Sequence, residues 1–297
     1  RMLAFALPWY AGNLIFLSVI NGLGKYGQVI FFSIWSNIAG VAISALLIWK
    51  WELNGAFLGL AAYPAVLFVF SFYMVQRRFP QPAFLKKGYF DYGILKGLLS
   101  YSLLSFISAL LSPVIFIAIK NYLIVNYSLA EAGYWDGITR ISSFYFLFIS
   151  TLLTVYFLPK LSAARTSLET KKIFSEYFKF VIPLFAIGLV IVYLLRYFII
   201  KILLSTEFLP MENLFGWQMA GDFLKACSLI LGYQMIAKKM VRVFIVTEIF
   251  SFAVLYTSSI LLVREFGAEG AVIGHAITYF VYLLVLAIYF RTRYSKS

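Results

Sequence analysis

Nine long apolar runs separated by short polar gaps order this chain, at approximately 2–22, 28–49, 55–76, 97–123, 133–159, 177–200, 213–237, 241–263 and 270–290. Each holds about the 20 residues that a helix rising 1.5 Å per residue needs to cross a ~30 Å hydrocarbon layer. The pattern predicts an all-α polytopic membrane protein with nine transmembrane helices. The widest gap, 77–96, carries two prolines, five basic residues and one acid, the composition of a linker between two helix bundles. A second long gap, 160–176, mixes Arg, Lys and Glu as a helical hairpin outside the membrane would. The domains expected are 1–76, the linker 77–96, a six-helix bundle at 97–290 and a tail at 291–297.

Charge gives the pattern a direction. Of 25 Lys and Arg, seventeen fall on one side: Lys25, those within 77–96, 160–179 and 238–242, and those of the tail. The other side has five, Arg1, Lys50, Lys120, Lys201 and Arg264. Basic residues concentrate on the cytoplasmic side, so the carboxyl terminus is expected inside and the amino terminus outside. The chain opens at Arg1 and is apolar at once. An odd number of crossings starting outside implies that an odd number of earlier ones is missing, so the chain reads as a fragment.

Composition narrows the function. Hydrophobic residues make up 63% and charged residues 12%, and the mean hydropathy is +0.90, well outside the soluble range. The net charge of +13 is mostly loop charge suited to an anionic leaflet, which makes nucleic acid the weaker partner. One cysteine, Cys227, excludes a disulfide within the chain. No phosphate-cradling glycine loop or His/Cys metal cluster is present, and the lone His275 makes no site by itself. Outside gaps are short, where a membrane enzyme acting on sugars needs a large outside loop. The chain is therefore expected to be no enzyme and to hold no cofactor or metal.

The chemistry then rests on charges inside the apolar runs, each costing about 2.5–3.5 kcal/mol at the bilayer centre unless it faces a partner or water. Asp136 and Arg140 are four apart on one helix face, acid first. Asp222 and Lys225 are three apart on the seventh run, roughly 13–18 Å deep counted from its outside end. Two readings stay open for these pairs: ion pairs that lock one helix, or cavity lining. Glu248 has no partner nearby in sequence, while Lys120 and Arg196 lie close enough to outside ends to snorkel. Pro113, Pro159 and Pro183 are either kinks or ordinary membrane-helix prolines. Gly188, Gly216, Gly221 and Gly232 would permit close helix contact.

These residues carry a resemblance. LLSPVIFIAIKNYL, GYWDGITRIS, YFLPKLS and LFGWQMAGDFLKACSLILGYQMIAK together resemble the Wzx-type polysaccharide flippases, a group that includes the O-antigen and enterobacterial common antigen lipid III flippases of the MATE/MOP superfamily. The likeness runs from about Trp9 to Phe290 and is densest at Trp217-Gln218-x-x-Gly221-Asp222-x-x-Lys225. It departs at Ser143, where the lipid III group is expected to carry an acid.

The resemblance implies twelve crossings in two lobes around a cavity, of which the first three are absent here. It implies translocation of an undecaprenyl-pyrophosphate-linked oligosaccharide across the bacterial inner membrane by alternating access, with membrane lipids and the pathway's polymerase and chain-length proteins as further partners. The candidate substrate and cavity residues are Arg140, Lys225, Asp222, Asp136, Gln218, Lys120 and Arg196. Asp222 and Glu248 are candidates for ion coupling, since burial favours a proton on a carboxyl. An ion-coupled exporter of small organic cations is the alternative, and it requires a net acidic cavity.

Overall fold

The structure is a computed structural model that describes residues 2–22, 26–78 and 92–295. It is helical throughout these residues and divides into two compact units, Arg1–Asp91 and Tyr92–Ser297. Each of the nine apolar runs lies on helix. Among the described residues six stretches are long and apolar enough to cross a membrane: Ile34–Arg77, Ala109–Asn126, Leu129–Ala163, Ser167–Leu194, Val241–Phe266 and Ala268–Thr292. The molecule is an all-α multi-pass membrane protein. Most of the proposed linker 77–96, namely 79–91, lies outside the described residues.

In the first unit α1 (Met2–Gly22) packs on α2 (Tyr26–Arg78). Helix α2 breaks at Trp51 and Glu52, where Glu52 takes φ 45°. The break turns the chain back on itself. A Cβ added to Gly55 would strike the Leu47 carbonyl, and one on Gly40 would strike the ring of Tyr63, so the two arms run antiparallel at van der Waals distance. Gly12 gives the same close approach of α1 to Phe68, whose ring also meets Trp9 edge-on at 5.0 Å.

The second unit comprises α3 (Tyr92–Asn126), α4 (Leu129–Leu152), α5 (Leu158–Ala163), α6 (Ser167–Glu176), α7 (Ile182–Leu203), α8 (Phe215–Ala237), α9 (Val241–Phe266) and α10 (Ala268–Ser295). Two π turns, Leu153–Phe157 and Tyr177–Val181, join α4 to α5 and α6 to α7. Pro159 and Pro183 directly follow them. Proline lacks an N–H and pushes against the preceding turn, and a wide turn absorbs both effects. The chain thus continues through each proline without a break.

Local chemistry sets the ends of these helices. Ser128 caps α4 by accepting from the Glu131 N–H at 3.1 Å, and Thr166 caps α6 from the Glu169 N–H at 3.2 Å. The Glu131 carboxylate also accepts from the Ala268 N–H at 2.9 Å, which ties the start of α4 to the start of α10. Helix α8 ends with Lys239 in the left-handed region, its N–H bonded to the Ile236 carbonyl while that of Met240 reaches the Met235 carbonyl. The 160–176 segment forms a hairpin closed by Lys160 and Glu176 at 3.0 Å.

The core of this unit forms around α8, against which α4, α5, α7, α9 and α10 pack. Ile138, Ile149, Leu153, Leu161, Ala226 and Ile230 are fully enclosed. Tyr177, at the π turn before α7, is also fully buried and donates to the Ala226 carbonyl at 2.8 Å. Leu, Ile, Val and Phe are exposed in large numbers on the outer faces, as suits helices in hydrocarbon. Helix α8 is not among the most apolar stretches, because Gln218, Asp222, Lys225, Ser228 and Gln234 interrupt it. Being central, it does not need a lipid-facing surface.

Candidate functional site

Three helices of the second unit turn polar stripes toward one another. On α8 the stripe is Lys225, Ser228, Leu229 and Gly232; on α9 it is Glu248, Ser251, Phe252 and Leu255; on α10 it is His275, Thr278, Tyr279 and Tyr282. Each follows the i, i+3, i+4, i+7 spacing of one helix face. Thr139, Arg140 and Ser143 of α4 complete a cavity of about 630 Å³. A smaller space of about 290 Å³ shares Thr139, Ser143, Lys225 and His275 with it and adds Gln218 and Ser142. The larger lining carries Arg140, Lys225 and Glu248, two basic side chains against one carboxylate.

Lys225 does not pair with Asp222. Among the described residues its ammonium makes no hydrogen bond and no ion pair. It lies 4.4 Å from the ring centre of Phe146 and 5.4 Å from that of Tyr279. Aromatic faces attract a cation by about 0.5–2 kcal/mol, far less than a desolvated carboxylate offers. Of the two readings left open for this pair, the i,i+3 lock of α8 is therefore absent, because Asp222 is engaged elsewhere.

Asp222 is fully buried and belongs to a network spanning three helices. Its Oδ2 accepts from Ser142 Oγ of α4 at 2.7 Å and from the Tyr145 hydroxyl, its Oδ1 meets His275 Nε2 of α10 at 2.9 Å, and Gln218 Nε2 donates to both oxygens at 3.2 Å. The carboxylate does not line the cavity as expected; it stands behind it, reached through His275 and Gln218. Gln218 Oε1 is buried without a partner among the described residues.

Asp136 and Arg140 do meet, Nε to Oδ2 at 2.7 Å, and Lys120 of α3 joins them at 2.9 Å. Lys120 is thus a cross-helix partner and does not snorkel. This triad borders a second pocket of about 610 Å³ at the end of α4, with Tyr134, Glu207 and Phe208 on its walls. Arg140 lines both spaces. Arg196 is taken out of the picture by Glu212 at 3.0 Å, with its second contact to the Tyr193 carbonyl at 2.8 Å. Glu248 lines the main cavity beside Lys225.

Gly221 is the tightest point of the site. A Cβ there would lie 2.5 Å from the His275 ring and 3.0 Å from the backbone of Ala276. The backbone of α10 cannot yield as a side chain tip can, so Gly221→Ala pushes α10 away from Asp222. Thermal unfolding in detergent is expected to report a loss of about 1–3 kcal/mol; an unchanged midpoint would show that α10 moves freely. Gly188, Gly216 and Gly232, by contrast, have nothing within 4 Å of an added Cβ, so close helix contact is not what they provide.

Sequence reasoning missed His275, Ser142 and Tyr145 as partners of Asp222. Ser142 and Tyr145 are three apart and so share a helix face, and a buried acid in a membrane helix demands donors. That demand was the available signal. Which helices supply them depends on packing.

No protein-family model matches the chain. It is 36% identical over 229 residues to the lipid III flippases of Escherichia coli (strain K12) and of Shigella flexneri, an alignment that takes in 77% of this chain and 55% of each relative. The chain spans about half the length of these relatives. Among solved structures it resembles an outward-facing multidrug resistance transporter of the MATE family in the MOP superfamily, with a TM-score of 0.80 and 14% identity over 96% of this chain and 66% of that one. A MATE structure in complex with MaL6 gives a TM-score of 0.80 and 15% identity, over all of this chain and 69% of that one. The fold is that of the MATE transporters, and the resemblance to polysaccharide flippases holds at the level of sequence.

Proposed function

We propose that this chain, a relative of the lipid III flippases built on the MATE transporter fold, moves an undecaprenyl-pyrophosphate-linked oligosaccharide between the leaflets of a bacterial inner membrane. The observation that carries this reading is Lys225, an ammonium inside a polar cavity with no carboxylate bound to it among the described residues. Bringing a pyrophosphate past hydrocarbon requires cations that are not already neutralised. Lys225 meets that requirement, and Arg140 stands at the border between the main cavity and the pocket at the end of α4. The lipid tail stays in the bilayer while the head group uses the cavity, and rocking of helix bundles exposes the site to either side in turn.

Export of small organic cations fits less well, since two cations oppose one carboxylate on the lining. Energy comes from an ion gradient in this reading, with Asp222 and Glu248 as the acids concerned. The polymerase and chain-length proteins of the same pathway are further proposed partners. The distribution of basic residues supports a cytoplasmic carboxyl terminus in this reading. A cysteine at the exposed Glu265, beside the turn from α9 to α10, is expected to react with an impermeant thiol reagent from outside; the neighbouring Ala268 is buried and unsuited to this use. Protection of Glu265→Cys in intact cells would reverse the orientation. The function itself is tested by expressing the protein in a flippase-null strain. Restored surface glycan and loss of the accumulated lipid-linked repeat unit support it, whereas drug resistance without glycan export identifies the cation exporter.

A further inference from the structure

A groove of about 480 Å³ lies between the α6–α7 leg, α8 and α10, apart from the polar cavity. On α10 it is lined by Leu283, Ala287, Phe290 and Arg291, the i, i+4, i+7, i+8 positions of one helix stripe. That stripe stands about a third of a turn round from His275, Thr278, Tyr279 and Tyr282, which face the cavity. On the leg that passes through the second π turn the lining is Lys171, Phe174 and Phe178, and α8 contributes Leu231. Phe174 meets Phe290 edge-on at 6.5 Å. Ala287 is the smallest side chain on the lining and is exposed, so room remains there that a larger residue would fill.

The charge on this groove has one sign and one place. Lys171 lies near the start of the crossing Ser167–Leu194, and Arg291 lies next to the end of the crossing Ala268–Thr292. Both cations therefore stand at one mouth of the groove, and both are exposed. From Arg291 back to Leu283 the apolar lining runs about 12 Å along α10. Among the described residues no carboxylate lines the groove. The acids of the same leg are held elsewhere, Glu169 by the Arg165 N–H at 2.7 Å and Glu176 by Lys160 at 3.0 Å.

We infer that this groove binds one anionic phospholipid, its phosphate held by Lys171 and Arg291 and one acyl chain lying along Phe174, Ala287 and Leu283. The leaflet is the one that the basic residues mark as cytoplasmic in the orientation proposed above. The apolar wall alone selects nothing, since a chain gains little by leaving hydrocarbon for a surface that is just as apolar. Selection comes from the head group. Two cations from two helices favour a lipid of net negative charge, whereas a zwitterionic lipid brings its own ammonium against them. The groove supplies the position, because a chain seated in it carries its phosphate to both side chains at once. A lipid so placed bridges α6 and α10. The inference does not depend on what the polar cavity carries. A head group beside Lys225 faces a different side of α10, so the groove is assigned to a phospholipid and not to the tail of a transported lipid.

The test is native mass spectrometry of the purified protein in detergent, with phosphatidylglycerol or phosphatidylcholine added. The wild type is expected to retain one phosphatidylglycerol about tenfold more strongly than phosphatidylcholine. Lys171→Gln/Arg291→Gln, which changes exposed side chains only, should lose that preference. Lys239→Gln/Arg242→Gln removes the same charge from exposed positions between α8 and α9 and should keep it. Ala287→Phe leaves both cations in place, fills the groove and should release the lipid as well. Equal preference in the wild type and in Lys171→Gln/Arg291→Gln overturns the inference. Full retention by Ala287→Phe also overturns it, reducing the effect to attraction by surface charge. Displacement of phosphatidylglycerol from the wild type by an equal concentration of undecaprenyl phosphate would hand the groove to the tail of that carrier instead.

Discussion

Lys225→Met is expected to abolish glycan display in a flippase-null strain while leaving membrane abundance and thermal stability close to wild type. The argument turns on what the substitution leaves behind. Removing one member of an ion pair strands its partner at a cost of about 3–5 kcal/mol, so loss of function from such a change confuses folding with transport. Lys225 has no ion-paired or hydrogen-bonded carboxylate among the described residues; its closest contacts are the rings of Phe146 and Tyr279, while Asp222 and Glu248 act on it only through their fields. A methionine fills the same space against those rings and deletes only the charge. Arg140 does not offer this clean test. Asp136 holds it together with Lys120, so Asp136→Ala/Arg140→Ala still leaves Lys120 without its carboxylate. Normal glycan display with Lys225→Met, at equal protein level, would remove the cavity cation from the mechanism.

Asp222→Ala is expected to produce the opposite profile, a protein that is unstable first and inactive as a consequence. Ser142, Tyr145, Gln218 and His275 would all lose the acceptor supplied by a carboxylate that has no exposed surface. Leaving one buried group unsatisfied costs about 1–3 kcal/mol, and here four lose it at once. Asp222→Asn is not the gentle substitution it resembles. With its NH₂ toward His275 the amide keeps an acceptor for Ser142 and Tyr145 only if the ring turns to the tautomer that accepts at Nε2, and the second carboxylate oxygen that Gln218 also reaches is lost. Both variants should therefore fall in thermal midpoint, Ala further than Asn, whereas Glu248→Gln keeps its midpoint and only weakens transport. Unfolding monitored in detergent with glycan display measured in parallel separates the two effects. A wild-type midpoint for Asp222→Ala would mean that the network contributes nothing to packing α4, α8 and α10.

The helices were legible in the sequence because hydrocarbon imposes one simple demand, an uninterrupted apolar length, and each of the nine runs lies on helix. Pairing within one helix was legible too where geometry left a single choice. Asp136 and Arg140 are four apart and meet. At Asp222 and Lys225 the spacing permits contact without compelling it, and of the two readings left open the helix lock does not hold while Lys225 lines the cavity. Asp222 found better donors on α4 and α10, at sequence separations of 80 and 53 residues. His275 was set aside because a lone histidine has no partner in its own neighbourhood. Its partner comes from packing, through the close approach that Gly221 allows. Lys120 stood both as a snorkelling side chain and as a cavity candidate; snorkelling is a property of one helix in lipid, and Asp136 offered it a carboxylate across a helix boundary instead.

The two π turns have a consequence for angular phase. An α-helix advances by about 100° per residue, and a π turn inserts one residue without lengthening the helix by a full turn. The stretch beyond Phe157 is thereby rotated by roughly that angle relative to α4, and the stretch before Tyr177 is rotated likewise relative to α7. Upstream of the first turn Ile138 and Ile149, and at its first residue Leu153, keep facing the core. Tyr156 within it and Lys160 beyond it come round to meet Glu176, the residue just before the second turn, at 2.6 Å and 3.0 Å. Deleting a single residue from either turn would restore ideal helix geometry and swing the polar end of that leg away from its mate. Each leg carries its own offset, and the hairpin closes because both do.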